Sequence, residues 1–431
     1  MDLRENSDIN NSSIKKPKKS ILSLQRNPYI KKIDIILLVV ILAVLAAPAI
    51  KGLLTKEEVV INTDVNLYLS LQCEDFFGME MTDTLIQEFE ENNPGIKIFL
   101  ADGEAEPDIL IFNDGDFPML VSKNTLVELG ELANYDSGSL QFAIPLVSFM
   151  NLLFYNINIL TEAGFDSPPK TREEFTAYSR TVSRGESGAS GAALSLSRND
   201  HLALSRDVFS WMWASGGDFW EDGESPSLRT RAAVGEITFL ETLNREGSLA
   251  PDVFYTTGSQ RVEQFAQGKV ALMTASSQVI PYLREKMGDE AFGITTIPGS
   301  GTGGNYHTSL SSIHAAISAG CQNIEQAWSF LVFLTEKSSL FCDELKAVPG
   351  AVSNIIPGDY VRDDPFYSKA WEIFEASRIA EGFTGKPGAE EYETIFLEEL
   401  QACFERTRTA AQTVNRIQQR WNEVRPPAEM D

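Results

Sequence analysis

The order of hydrophobic segments predicts an α/β protein of two globular units behind an N-terminal appendage. Three observations lead there. Strand, helix and strand alternate between Val65 and Phe112. The 431 residues exceed what one hydrophobic core organises. A basic stretch and then an uncharged apolar run precede the first strand.

The appendage comes first. Residues 1 to 34 carry eight Lys/Arg against four acids, and Lys31-Lys32 leads into the uncharged run Ile35 to Ile50. Those roughly 16 residues reach about 24 Å as a helix, close to the roughly 30 Å of a bilayer core. Ile33, Gly52, Leu53 and Leu54 extend the run, with Lys51 snorkelling. The expectation is a transmembrane anchor over 33–54, behind a basic cytoplasmic tail over 1–32 and followed by a linker over 55–62. A cleaved signal segment ending near Ala47-Pro48-Ala49 is the alternative. Both place the body on the extracytoplasmic, periplasmic side of the cell membrane.

Val65 to Leu71 reads as a buried strand. Met81, Leu85 and Phe89 then recur at helical spacing until Asn92-Asn93-Pro94-Gly95 stops the helix. Ile96 to Leu100 and Pro107 to Phe112 are the next strands, and this order builds a parallel sheet whose ligand edge is at the strand carboxyl ends. Ile144 to Asn156 is strand-like. Thr171 with Glu174 three residues on forms a capping box. Leu202 to Ala214, Leu228 to Leu243 and Gln260 to Gln267 read as helices, the last closed by Gly268 before strand Val270 to Thr274. Phe292 to Ile297 and Ile313 to Ser318 are strands around the loop Gly299 to Gly304. Asn323 starts a helix facing inward through Ile324, Ala327, Trp328 and Leu331, and Glu390 to Val424 reads as nearly uninterrupted helix before a polar tail over 425–431.

Composition excludes several functions. The net charge is -25, and once the basic N-terminus is set aside the body carries about -29, so nucleic acid is not a partner. Glycines 299, 301, 303 and 304 lack the Lys-Ser/Thr and the helix of a phosphate loop. With three histidines, His201, His307 and His314, no metal or histidine-based catalytic centre and no cofactor is expected. The four cysteines, Cys73, Cys321, Cys342 and Cys403, fall in the exported part, where free thiols and one disulfide are both open.

Several segments together resemble the extracellular solute-binding proteins of the maltose-binding type over about 63–424. Leu153-Phe154-Tyr155-Asn156, Glu162-Ala163-Gly164-Phe165, Pro168-Pro169-Lys170-Thr171 and Glu173-Glu174-Phe175 are similar to that family's crossover. Phe89-Glu90 to Ile98, Phe265 to Met273, Gly293 to Pro298 and Ala327 to Phe333 support it. The resemblance implies an α/β fold of two discontinuous lobes of periplasmic-binding-protein type (type II), with 63–145 and 292–319 in the first lobe and 146–291 and 320–424 in the second. It implies a receptor, not an enzyme, that captures a small ligand, a sugar above all, and delivers it to ABC permease subunits with a cytoplasmic ATPase. The sequence departs from the family where only polar residues join Leu100 to Pro107, and where Ala275-Ser276-Ser277-Gln278 replaces an aromatic ligand loop.

A sugar site needs aromatic faces for ring carbons and planar polar groups for hydroxyls. Strand-end loops offer Glu74, Asp75 and Phe76 after the first strand, and Asn113, Asp114 and Asp116 after the third. Ser276 follows a strand, Tyr306 the glycine loop, and Trp211 and Trp213 stand near Gly216-Gly217. Two apart on a helix, those tryptophans cannot share a face. Few Lys or Arg neighbour these loops, so a neutral or cationic ligand is expected over an anionic one. A sensor of the same fold without transport is the alternative function. A hydrolase using Asp114 and Asp116 lacks a second carboxylate across a cleft.

Overall fold

The computed structural model describes residues 65–73, 78–103, 105–130, 142–200, 202–220, 226–228, 231–300, 307–350, 358–380 and 382–424. The expected anchor or signal segment at 33–54 lies outside them. Among the described residues no helix is long and apolar enough to cross a membrane.

The strands are β1 Val65–Leu71, β2 Ile96–Leu100, β3 Ile109–Asn113, β4 Ile144–Asn156, β5 Ser190–Ala193, β6 Val270–Ser276, β7 Phe292–Thr295, β8 His307–Thr308, β9 Leu310–Ile317, β10 Val348–Pro349 and β11 Arg378–Ile379. Val65, Leu67 and Leu69 are buried and Asn66 exposed, so β1 shows the alternation of a strand with one face in a core. The helix Met79–Asn92 carries the chain back to β2, which pairs parallel with β1. It stops where Asn93 N–H donates to Phe89 O and Gly95 turns with φ 99°. β3 pairs parallel with the other edge of β1.

β4 joins the two lobes. Ile144 to Met150 pair antiparallel with β9, which pairs antiparallel with β3, giving the first lobe the order β2-β1-β3-β9-β4 with β10 on the far side of β4. Residues 151–156 pair instead with β6 and β7, and β5 lies parallel on β6. With both faces covered, β4 is buried from Leu146 to Phe154. On its second half Leu153 joins one core, with Trp211, Trp213 and Leu240, while Leu152 and Phe154 join another, with Phe265 and Phe292.

Packing moves three sequence-based boundaries. β7 pairs with the second half of β4, Leu153 opposite Thr295, so 292–295 sit in the second lobe rather than the first. The helices Ile324–Glu336 and Ser338–Leu345 bury Ala327, Phe330, Leu331 and Phe341 in the core of β1, β3 and β9, so 324–345 belong to the first lobe rather than the second. The expected Glu390–Val424 helix is two helices, Ala389–Phe404 and Ala410–Trp421; Arg406 adopts φ 60° between them and Thr409 with Gln412 closes a capping box on the second. At Thr171 the box is half formed. Its side chain accepts from Glu174 N–H, but the Glu174 carboxylate accepts from Lys170 N–H. All four cysteines are free; burial pushes the thiols of Cys73 and Cys342 up to about 12 and that of Cys321 to about 11, so they stay protonated.

Candidate functional site

The carboxyl ends of β3 and β6 and the middle of β9 face one cleft between the lobes. It holds two compartments of about 500 and about 900 Å3 that share Leu202, Arg206, Ser276 and Ser311 at a common waist.

At its floor β4 passes from one lobe to the other, and Asn151 stands at the crossing. Its N–H donates to Ser309 O (3.0 Å), its amide to Ser309 Oγ (2.6 Å) and Ser210 Oγ (3.4 Å), and its carbonyl accepts from Thr308 Oγ1 (3.0 Å). Ser148 Oγ lies 2.7 Å from Ser312 Oγ, and Ser276 Oγ 3.4 Å from Ser311 Oγ. The floor is therefore lined by short hydroxyls that can donate and accept.

The first-lobe wall is built on Asp114, which is buried at the end of β3. Ser312 N–H donates to Oδ2 (2.9 Å) and His314 Nε2 lies 2.5 Å from Oδ1. The register of β3 against β9 sets Phe112 opposite His314, and the His314 ring stacks on Phe112 and tilts against Phe117. Asn113 and Asp116 line the larger compartment, although Asn113 Oδ1 accepts from Gly115 N–H (2.8 Å).

The second-lobe wall contains a π-helical turn, Ser205–Phe209, leading into the short helix Ser210–Ala214. Such turns widen a helix by one residue and redirect its side chains. Here Asp207 goes inward, fully buried, where it accepts from Ser195 N–H, Ser195 Oγ and Thr274 Oγ1 and pairs with the equally buried Arg261. Arg206 faces the cleft and donates to Asp200 (2.6 Å). Burial pushes the Asp200 carboxyl up, but Arg206 and the Gly258 N–H outweigh it and hold the group below its usual range.

The two tryptophans divide. Trp213 lines the smaller compartment but is 1% exposed, backed by Phe209 and Phe219, so it offers an edge rather than an open stacking face. Trp211 lines neither compartment: it packs on Phe175 and Phe239 with the Arg172 guanidinium 4.9 Å from its ring centroid. Arg172 in turn pairs with buried Glu236 and donates to Pro298 O and Ser215 Oγ, tying the backbone at Pro298 to the second-lobe core. Burial is the larger influence on each member, pulling Arg172 down and Glu236 up, and their attraction opposes both shifts.

Of the sequence-based candidates, Asn113, Asp114, Asp116, Trp213 and Ser276 line the cleft, while Glu74, Asp75, Phe76 and Tyr306 lie outside the described residues. Sequence reasoning passed over Asn151, Arg206, His314 and the β9 hydroxyls. The run Ser309-Leu310-Ser311-Ser312 inside an apolar strand was the available signal. Among the described residues no group of three His, Cys, Asp or Glu is placed to hold a metal.

The profile of the bacterial extracellular solute-binding protein family matches residues 82–339. Binding proteins of Brucella abortus and Brucella suis, so named by inference, are 23% identical over 200 residues, 46% of this chain and 47% of theirs. A Deinococcus radiodurans protein, assigned by inference to ABC-transporter binding, is 21% identical over 269 residues, 60% of each chain. The chain thus spans about half the length of the first of these curated relatives. Among solved structures, the cyclic α-maltosyl-1,6-maltose binding protein of Arthrobacter globiformis aligns with TM-score 0.66 at 16% identity over 83% of this chain and 98% of its own. A Mycobacterium tuberculosis protein in complex with glycerophosphocholine aligns with TM-score 0.63 at 18% identity, over 83% and 97%. These likenesses show a mixed α/β periplasmic-binding-protein fold. With more than half its length under the family profile, the chain belongs to the bacterial extracellular solute-binding protein family.

Proposed function

We propose that this chain captures a neutral sugar or oligosaccharide between its lobes, outside the cytoplasm, and delivers it to an ABC importer. The observation that carries the reading is the cleft floor, where Asn151 and the hydroxyls of Ser148, Ser276, Ser309, Ser311 and Ser312 meet. Hydroxyls that both donate and accept match a polyol, whose own hydroxyls do the same. Trp213 and Phe117 supply apolar wall for ring carbons.

The lobes act as the halves of a type II trap. β4 is a crossing about which ligand, touching both lobes, shifts an open–closed population. Asn113, Asp114, Asp116 and Ser276 contribute contacts at the strand ends. The N-terminal basic and apolar stretch exports the body and tethers it near the permease, either permanently or until cleavage.

Titration calorimetry of the full chain in detergent against glucose, maltose, maltotriose, cellobiose and raffinose tests the reading. Micromolar or tighter binding to at least one sugar, about -8 kcal/mol, is expected. Absence of heat with all five, together with unchanged tryptophan fluorescence, rejects the sugar assignment.

A further inference from the structure

We propose that Arg206 is the ligand-orienting residue of the cleft, donating from Nη1 to an acceptor oxygen of a neutral saccharide lying across the waist, and that Gly258 is the residue that lets it. The inference rests on the sugar reading above.

Arg206 is one of the few residues common to both compartments, so a ligand reaching from one into the other passes its guanidinium. That guanidinium is held from one side only. Nη2 donates to Asp200 Oδ2 (2.6 Å) and Ser195 Oγ (3.0 Å), while Nη1 has no hydrogen bond among the described residues. Nε is buried without a hydrogen-bond partner, 3.8 Å from Asp207 Oδ2. Nε thus faces the support side, and Nη1 is the nitrogen left for a ligand. Here the group is aimed by its supports rather than satisfied by them.

The supports are rigid. Asp200 accepts from Gly258 N–H (2.6 Å) and Leu202 N–H (3.2 Å) while it holds Arg206. The backbone of Arg206 lies in the π-helical turn that buried Asp207 anchors through Arg261, Thr274 and Ser195. The plane of the guanidinium lies against Gly258, where an added Cβ would stand 2.7 Å from Nη2, 2.8 Å from Cζ and 2.9 Å from Nη1. Any side chain at 258 would therefore displace the group.

The chemistry names the ligand class. Asp200 and Asp207 balance Arg206 and Arg261, so this cluster carries no net charge and offers an anion little advantage. Arginine only donates, and the ring and glycosidic oxygens of a saccharide only accept. Serine hydroxyls discriminate poorly between acceptors and donors; a fixed donor adds that discrimination.

The test uses the full chain and the same five sugars, with Arg206→Met, Gly258→Ala and the double variant. For whichever of maltose, maltotriose, cellobiose, raffinose or glucose binds, each single change should weaken affinity at least tenfold. The double variant should be no weaker than Arg206→Met alone, because Gly258 acts only by placing the guanidinium. Gly258→Ala keeps every charge and meets only a flexible side-chain end, so it reports placement even if Arg206→Met folds poorly. Unchanged affinity in either single variant, or a Gly258→Ala loss that adds fully to that of Arg206→Met, overturns the assignment while leaving sugar binding intact. No binding of any of the five sugars by the unsubstituted chain overturns both.

Discussion

Replacing Asp207 by Asn removes one charge from the interior of the second lobe and keeps the side chain's shape. Asp207 and Arg261 are both fully buried, and Asp207 alone neutralises the guanidinium at hydrogen-bond distance. Burial already pulls the Arg261 pKa down to about 10, and two of its nitrogens lack a hydrogen bond. Removing one partner of a buried pair costs about 3–5 kcal/mol, because the remaining charge stays out of water uncompensated. Unfolding entropy of about 2.1 cal/mol/K per residue gives roughly 0.8 kcal/mol/K for a unit of roughly 370 residues. The melting temperature should therefore fall by roughly 4–6 °C in scanning calorimetry. Replacing both partners, Asp207→Leu with Arg261→Met, should recover most of that loss, since desolvation offsets much of what a buried pair contributes. A shift under about 1 °C for Asp207→Asn, or a double variant less stable than the single one, would refute this account of the pair.

Two further outcomes follow from the packing. Glu393 sits half-buried in a small cavity beside Pro118 and Met119 of the first lobe, where burial, reinforced by Asp114 and Glu390, raises its carboxyl to about 8. A raised carboxyl stabilises the fold fully below its unfolded pKa of about 4.5, and that contribution is lost as pH rises through 8. Glu393→Gln should thus raise the melting temperature at pH 9 and leave it unchanged near pH 4; equal effects at both would count against a titrating Glu393. At Gly299 an added Cβ would lie 2.1 Å from Ala214 O, backbone that cannot move aside. Gly299→Ala should cost about 1–3 kcal/mol, read as a lower urea midpoint, whereas an unchanged midpoint would show that the 296–300 segment shifts freely.

Local pattern made much of the fold legible. The apolar alternation of β1, the Asn-Pro-Gly stop before β2 and the apolar run of β4 are signals carried within a dozen residues, and the structure forms those elements there. The break at Glu405 to Thr409 was missed because no Pro or Gly marks it; Arg406 takes the left-handed conformation instead. The family resemblance implied the second lobe for 324–345, and periodicity could not correct it, since both lobes need apolar helices and a repeat does not say which sheet a helix covers.

By itself the sequence determined the α/β alternation, the acidic body and the strand-end position of Asn113, Asp114, Asp116 and Ser276. Each depends on neighbours in the chain or on composition. Tertiary structure decided the rest. His314 meets Asp114 only through the pairing of β9 with β3, 200 positions apart in sequence. Arg206 faces the cleft because a π-helical turn, fixed by Asp207 and Arg261, offsets the helical phase that sequence reading assumes. Trp211 and Trp213 differ in role because Arg172 covers one and the cleft borders the other. Long-range register and buried charge, which no local window contains, turn a set of strand ends into a cleft.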